Sequence, residues 1–269
     1  MHSPTCWHGT IRRVATGKEQ MGEIVAPVRA ARILIPSCVN MLLPLHDDNP
    51  LRRIRFGWWT VAVIAACVLV FLYQMTLPER EAMRFVFAYG AIPSVVFGLQ
   101  QLPPGVAQVP ANLELVTSMF LHGSFMHLLG NMLFLWVLGD NVEDALGHAR
   151  FVAFYLLSGV AAALSHAAVE PASSVPMIGA SGAISGVIGA YLVLHPHARV
   201  RTLVLNTIVA LPAFVVLGLW ILFQLANVAL AAPGQGGVAW WAHIGGFFAG
   251  AILIVPMRQR GVRLFDRPK

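Results

Sequence analysis

The sequence predicts an all-α polytopic membrane protein with six transmembrane helices. Hydrophobic residues make up 57% of the chain and charged residues only 11%, whereas soluble proteins carry about 25% charged residues. A helix needs about 20 consecutive apolar residues to cross a bilayer. Several long stretches contain no Asp, Glu, Lys or Arg, and they cover residues 56–78, 115–139, 151–169, 171–198 and 202–257.

The six predicted spans follow these stretches in order. The last stretch is too long for a single helix, and the Pro- and Gly-containing segment at residues 232–237 is typical of a loop that divides it into two spans. Sequence patterns locate helix ends to within about 2–4 residues. We place the spans at residues 57–76, 118–139, 150–169, 180–195, 203–230 and 239–257.

These spans divide the chain into three regions. Residues 57–257 form the membrane domain, residues 1–56 a cytoplasmic N-terminal tail and residues 258–269 a basic cytoplasmic C-terminal tail. Residues 1–40 combine mixed polarity with several Pro and Gly residues, which is typical of a disordered segment.

The distribution of positive charge predicts the orientation of the chain. Arg80 and Arg84 lie in the long loop after the first span, and all the other Lys and Arg residues lie in the two tails or in the loops after the second and fourth spans. Because Lys and Arg are retained on the cytoplasmic side of short loops, both termini are expected there. The net charge of +6 then reflects topology and attraction to anionic lipid rather than nucleic-acid binding.

The loop at residues 77–117 should lie on the outer side. It contains apolar segments too short to cross a bilayer and few charges. We therefore expect it to insert partly into the outer membrane interface.

A small set of polar side chains lies within the predicted spans. Polar groups inside a membrane cost free energy and usually face the bundle interior or a cavity, so each is a functional candidate. Because even-numbered spans all run from the outside inwards, the outer halves of spans two, four and six hold candidates at one depth. The polar residues are His122, His127 and Asn131 in span two, Ser181 and Ser185 in span four, Asn206, Gln224 and Asn227 in span five, and His243 in span six.

His127 and Asn131 are four residues apart and share one face of the second span. Two interpretations of this pair stay open at this point. They could take part in a reaction, or they could hold helices together by hydrogen bonds, which is a common role for His and Asn in membranes.

Ser181 alone would be an ordinary small residue at a helix contact. Its surroundings favour a functional role. Small residues recur at intervals of four both in its own helix and in the sixth span, where they flank His243. Such spacing lets two helix backbones touch, and this packing would bring Ser181 and His243 together. The small residues are Gly182, Gly186 and Ala190 in span four and Ala242, Gly246 and Gly250 in span six.

The chemistry of these residue types is that of acyl transfer. A serine becomes a nucleophile when a base, usually histidine, lies beside it. The developing oxyanion needs donors, which can be Asn or His side chains or backbone N–H groups. Ser181 begins a helix, where unpaired N–H groups favour negative charge. With Ser181 and His243, the sequence therefore contains all the parts of an acyl-transfer site.

Residues 41–257 resemble the rhomboid intramembrane serine proteases, of the bacterial six-helix type. The resemblance rests on the combination of the six spans with four motifs, namely Gly179-Ala180-Ser181-Gly182, His127-x-x-x-Asn131, Ala242-His243-Ile244-Gly245-Gly246 and Trp220-x-x-x-Gln224. The segment that begins at Met41 also resembles the start of many bacterial members, so Met41 is an alternative start of translation.

The resemblance implies a function and a role for each site residue. Ser181 is the nucleophile and His243 its base, without an acidic third member. His127 and Asn131 contribute to the oxyanion hole with the Ser181 backbone N–H, and His122 supports the outer loop. The enzyme would cut a peptide bond in or near the transmembrane segment of another protein, through an acyl-enzyme.

The resemblance also implies the surroundings of the enzyme. Its partners are transmembrane protein substrates and the lipid bilayer, without nucleic acid, metal or organic cofactor. The expected location is the bacterial cytoplasmic membrane, with both termini inside. Two features depart from the family pattern: Ser185 stands where some members have an aromatic residue that supports the base, and the Trp-Arg pair often found in the outer loop is not evident.

Other classes of protein fit the sequence less well. A non-enzymatic rhomboid-like protein that binds membrane clients would lack the serine and the histidine. A transporter would be expected to carry charged residues or broken helices at mid-membrane. A metalloprotease needs an HExxH arrangement, and neither His122 nor His127 is followed by Glu. An aspartyl protease needs two facing acids, and Asp140 supplies one.

Overall fold

The computed structural model describes residues 43–230 and 238–266. The tail predicted for residues 1–40, the alternative start at Met41 and the loop at residues 232–237 therefore lie outside the described residues. The elements are β1 (Leu43–Asp47), α1 (Trp58–Thr76), α2 (Glu79–Tyr89), α3 (Pro93–Val96), α4 (Ala111–Thr117), a 3-10 turn (Ser118–Phe120), α5 (Phe125–Leu146), α6 (His148–Val169), α7 (Ser181–Leu194), β2 (Arg199–Val204), β3 (Thr207–Pro212), α8 (Ala213–Leu230) and α9 (Trp240–Met257).

The chain is a mostly helical, multi-pass membrane protein. Among the described residues, four helices, α1, α6, α8 and α9, are long and apolar enough to cross a membrane, and a fifth crossing results if the segment Ala111–Phe120 and α5, bent by 85°, count as one broken span. Helix α7 is apolar but has only 14 residues, about 21 Å at about 1.5 Å per residue. The count of six spans stays a prediction.

Helix α7 lies at the centre of the bundle. It packs against α5, α6, α8 and α9, and most of its residues from Ala183 to Leu194 are buried. A helix surrounded by other helices need not match the thickness of the lipid. This central position explains how α7 can be short and rich in small residues.

The predicted packing of small residues between α7 and α9 is confirmed. A Cβ atom on Gly246 would overlap the carbonyl oxygen of Gly182, and one on Gly250 would overlap that of Gly186. The two backbones are therefore in direct contact at glycine positions. No larger side chain fits there without moving one helix away from the other.

The second predicted span, at residues 118–139, was placed too early in the chain. The helix begins at Phe125, where the Ser124 hydroxyl accepts a hydrogen bond from the His127 N–H as its N-cap. It continues beyond residue 139 because its acidic residues there bind backbone groups instead of facing lipid. The carboxylate of Glu143 accepts hydrogen bonds from the N–H groups of Trp59 and Thr60 at the start of α1.

The predicted fifth span, at residues 203–230, began too early as well. Residues 199–212 form the hairpin of β2 and β3, and the helix starts only at Ala213. With β1 the hairpin makes a three-stranded antiparallel sheet in the order β1-β2-β3. The stretch is apolar enough for a span, but β-branched residues and a turn at residues 205–206 favour strands.

Residues 43–56, predicted as part of a tail, fold onto the bundle. The Asp144 carboxylate accepts hydrogen bonds from the backbone N–H groups of Arg52, Arg53 and Ile54. Asp47 in β1 accepts hydrogen bonds from side chains of α5 and α7. The sequence pattern did not indicate these contacts, because they join residues about 90 or more positions apart.

Candidate active site

Ser181 is the first residue of α7 and follows a sharply turned loop. Gly179, two residues earlier, has φ +123, a conformation that side chains with a Cβ atom rarely adopt. A Cβ atom there would also come within 2.8 Å of Nε2 of His127. Both facts require glycine at this position, and its turn directs the chain into α7 at Ser181.

The loop before Ser181 is held by the long connection between α1 and α5. Ala91 and Met177 exchange backbone hydrogen bonds of 3.0 and 2.8 Å. The Gly179 N–H donates to the carbonyl oxygen of Ser118 over 2.9 Å. Ala91 and Ser118 of this connection therefore position the start of α7, while insertion of residues 77–117 into the membrane interface stays a prediction.

His243 lies in the first turn of α9 and contacts Ser181 directly. Its Nε2 atom is 2.9 Å from the Ser181 hydroxyl oxygen, which is hydrogen-bond distance. The contact follows from the glycine packing of α7 against α9, because the two residues stand at the same end of these helices. The proximity of the two side chains predicted from the sequence is therefore present.

The backbone around Ser181 can bind an anion. Among residues 43–230 and 238–266, no backbone or side-chain oxygen accepts a hydrogen bond from the Ser181 N–H. The first N–H groups of a helix have no partner within the helix, and its dipole adds partial positive charge there. A carbonyl oxygen bound near Ser181 would meet these donors.

His127 and Asn131 face the same loop from α5. A Cβ atom on Gly179 would lie 2.8 Å from Nε2 of His127 and 3.7 Å from Nδ2 of Asn131. Both side chains therefore border the turn that leads to Ser181. The structure brings the four residues that the sequence singled out to one place, at the N-terminal ends of α5, α7 and α9.

His122 lies next to the site and contacts Asn131. Its Nε2 atom is 3.0 Å from Nδ2 of Asn131, and its backbone N–H donates to the side-chain oxygen of Gln74 in α1. The resemblance assigns His122 to support of the outer loop. The observed contact indicates that it also fixes the orientation of the Asn131 amide.

The sequence analysis named Gln224, Ser185 and Trp220 but did not predict what they contact at the site. Gln224 of α8 places its Oε1 atom 2.8 Å from Nδ1 of His243. Ser185, which stands where an aromatic residue was expected, donates its hydroxyl to the carbonyl oxygen of Ser181, at 2.6 Å. The rings of Trp220 and Trp240 lie with their centroids 6.0 and 6.1 Å from that of His243. The signal for Gln224 in the sequence was a polar amide within a predicted span and its place in the Trp220-x-x-x-Gln224 motif.

The arrangement suits nucleophilic chemistry with the groups of the protein itself. A hydroxyl, a base in hydrogen-bond contact with it and unpaired N–H donors are the parts of an acyl-transfer site. Among the described residues, no group of three or more His, Cys, Asp or Glu side chains has an arrangement that could hold a metal ion.

Known proteins resemble the chain over much of its length. The family model of the Rhomboid domain matches residues 111–260. Rhomboid protein 1, mitochondrial, of Saccharomyces cerevisiae is 32% identical over 201 residues, which are 68% of this chain and 54% of that protein. Rhomboid protease GluP of Bacillus subtilis is 35% identical over 146 residues, which are 53% of this chain and 26% of that protein.

A third relative extends the alignment. The presenilin-associated rhomboid-like protein, mitochondrial, of Mus musculus is 29% identical over 233 residues, which are 79% of this chain and 54% of that protein. The chain thus spans about half or less of the length of these relatives. The family model covers more than half of the chain, including α5, α7 and α9, which carry the site. The chain belongs to the rhomboid family.

Proposed function

We propose that the chain is an intramembrane serine endopeptidase that hydrolyses a peptide bond in or near the transmembrane segment of another membrane protein. The observation that carries the proposal is the 2.9 Å contact between the Ser181 hydroxyl and Nε2 of His243. The family membership supports it, and one relative is itself named a rhomboid protease.

The first half of the reaction forms an acyl-enzyme. The Ser181 oxygen attacks the carbonyl carbon of the scissile peptide bond while Nε2 of His243 accepts the hydroxyl proton. The tetrahedral intermediate carries its negative charge on the former carbonyl oxygen. Its collapse breaks the C–N bond, and the amine leaves with the proton that His243 returns. The acyl group is then an ester of Ser181.

The second half of the reaction restores the enzyme. A water molecule gives a proton to His243 and attacks the ester carbonyl. The intermediate collapses, releases the new carboxyl terminus, and Ser181 takes back the proton. Both halves need a base within hydrogen-bond distance of the serine oxygen. His243 meets this need, because its Nε2 atom contacts the Ser181 hydroxyl.

We assign the oxyanion to the Ser181 N–H with His127 and Asn131. The N–H group has no acceptor within the described part of the chain, and both side chains border Gly179. Asn131 uses one N–H towards His122, and its amide has a second N–H to donate. Such donors act on charge that develops in the transition state.

The proposed location is the bacterial cytoplasmic membrane, with both termini in the cytoplasm. The distribution of Lys and Arg supports it, since Arg80 and Arg84 are the two that fall on the opposite side. Reporter fusions at the C-terminal tail should report a cytoplasmic location, and fusions within residues 77–117 an external one. The reverse pattern would contradict this orientation.

Ser181→Ala and His243→Ala are each expected to abolish cleavage. Nucleophile and base act as a unit, so the double variant should lose no more than either single one. The measurement is turnover of a single-span model substrate by purified protein in detergent. A fluorophosphonate reagent should label the wild type at Ser181, as mass spectrometry of the labelled peptide would show.

Ser173→Ala is a matched control, because Ser173 lies in the loop after α6 and its hydroxyl accepts a hydrogen bond from the Val175 N–H of the same loop. It should cleave and label like the wild type. Substantial turnover or labelling by folded Ser181→Ala would refute the assignment. A protein that binds clients without cutting them would instead show no turnover in the wild type.

A further inference from the structure

Nδ1 of His243, the nitrogen that faces away from Ser181, has a partner on α8. Oε1 of Gln224 lies 2.8 Å from this atom, while Nε2 on the other side of the ring lies 2.9 Å from the Ser181 hydroxyl. The three side chains therefore form one line of hydrogen bonds from α8 through α9 to α7. In the described part of the chain no carboxylate is bonded to this histidine.

The hydrogen bond to Gln224 selects one tautomer of the imidazole. A carboxamide oxygen can only accept, so Nδ1 must carry the hydrogen. Nε2 then presents its lone pair to the Ser181 hydroxyl, as a general base requires. The opposite tautomer would place a hydrogen on Nε2, and the ring could not accept the proton of the serine.

The burial of Gln224 supports a specific role for its hydrogen bond with His243. Its side chain is 4% exposed, and from Gly218 to the end of α8 it is the one buried residue. A polar amide in an apolar helix costs free energy unless it is hydrogen-bonded. Ser185, at the position where some rhomboids support the base with an aromatic ring, bonds the carbonyl oxygen of Ser181 in its own helix.

We infer that Gln224 is a positioning residue that fixes the tautomer and the ring orientation of His243. The inference rests on the proposed serine-protease function and adds a neutral third member to the pair of Ser181 and His243.

Gln224→Met is the test variant, since methionine is of similar length and cannot accept the Nδ1 hydrogen. We expect the rate of labelling of Ser181 by a fluorophosphonate and the kcat for a model substrate to fall together by at least about tenfold, with little change in KM. The loss should stay below the roughly 10⁴-fold effect of altering the acid of a Ser-His-Asp triad. Gln224→Glu, which keeps an acceptor, should label faster than Gln224→Met.

A spectroscopic readout separates positioning from packing. In protein with ¹⁵N-labelled histidine, the His243 signal, assigned by its loss in His243→Ala, should report the Nδ1–H tautomer in the wild type. In Gln224→Met it should shift towards the other tautomer. Asn227→Leu is the matched control, because Asn227 lies one turn later on α8 and donates to the backbone of that helix. Its labelling rate and tautomer should equal those of the wild type.

The outcomes distinguish this inference from the proposed function. Turnover by folded Ser181→Ala would refute the serine mechanism itself, whatever Gln224 does. If Ser181→Ala is inactive but folded Gln224→Met labels within about twofold of the wild type with the same tautomer, the role of Gln224 is refuted. Equal losses in Gln224→Met and Asn227→Leu would assign the effect to helix packing. If Gln224→Met does not fold, the tautomer of Gln224→Glu decides, and loss of the Nδ1–H form there overturns the inference.

Discussion

At the scale of single residues, the site depends on a few polar side chains at the N-terminal ends of three apolar helices. For Asn131 the sequence left open a reactive role and a role in holding helices together. The structure bears on this choice, because the amide both contacts His122 and borders the turn before Ser181. The two roles predict different losses on substitution.

If Asn131 donates to the oxyanion, Asn131→Ala should lower turnover by up to about a hundredfold, the scale of losing one such donor. Substrate binding should change less, since the interaction strengthens in the transition state. The double variant with His127→Ala should lose more than either single one. The measurements are turnover per folded molecule and melting temperature in detergent.

Asn227→Ala is the control for loss of an amide, because its side chain donates to the carbonyl oxygen of Phe223 in its own helix. It should leave turnover unchanged. A lower melting temperature in Asn131→Ala, with unchanged turnover of the molecules that stay folded, would show that Asn131 only holds helices together.

At the scale of elements, the contact between α7 and α9 determines the distance between nucleophile and base. Backbone touches backbone at Gly182 and Gly246 and again at Gly186 and Gly250. In membranes, where apolar side chains gain little by leaving lipid, close backbone approach is a main source of helix association. The same glycines therefore stabilise the bundle and align the site.

Gly246→Ala is expected to destabilise the protein and reduce cleavage together. Its new methyl group would overlap the carbonyl oxygen of Gly182 and lie 3.2 Å from the Cβ atom of Ala162. Overpacking of this kind costs about 1–3 kcal/mol. Separation of the helices would also move His243 away from Ser181. Thermal unfolding and turnover in detergent measure both effects.

Gly218→Ala provides the matched control, since a Cβ atom on that glycine of α8 would have no described atom within 4 Å apart from the adjoining residues and the backbone of its own helix. Alanine favours a helix over glycine by up to about 1 kcal/mol, so this variant should be as stable as the wild type or slightly more. Equal melting temperatures for Gly246→Ala and the wild type would contradict the proposed role of the contact.

At the scale of the whole molecule, Asp47 joins the N-terminal strand to the bundle. Its Oδ2 atom accepts hydrogen bonds from the Tyr191 hydroxyl at 2.6 Å and from the Asn141 amide at 2.9 Å. Burial raises the pKa of Asp47 from 3.8 to about 7, and the nearby Asp140 adds to the shift while the hydrogen bond from Tyr191 opposes it.

This raised pKa predicts a pH-dependent stability. The folded protein binds the Asp47 proton more tightly than the unfolded chain does, so Asp47 lowers the free energy of unfolding progressively as the pH rises from about 4 to about 7. Asp47→Asn cannot ionise and should lose less stability over this range. Melting temperatures of both proteins in detergent between pH 4 and 8 test this, and parallel curves would contradict it.

Much of the fold was predictable because the bilayer imposes simple rules. Apolar runs of about 20 residues indicate helices, and small residues four apart indicate which helices touch. The spans at residues 57–76, 150–169 and 239–257 agree with α1, α6 and α9 to within about two residues. The two misplaced spans show what hydropathy alone does not detect. It does not distinguish the apolar hairpin at residues 199–212 from a helix, and it does not show that the carboxylates after residue 139 are hydrogen-bonded within the fold.

The sequence by itself predicted the helical membrane fold and the candidates Ser181 and His243, because these depend on composition and on local spacing, and the resemblance of its motifs to the rhomboid proteases implied the roles of His127 and Asn131. The tertiary structure alone showed which side chains and loops contact the candidate residues. Gln224 meets His243 from another helix, and Ala91 pairs with Met177 from a distant loop. Such contacts depend on how helices rotate and pack in three dimensions, and no periodicity along one chain encodes the facing atom of another helix.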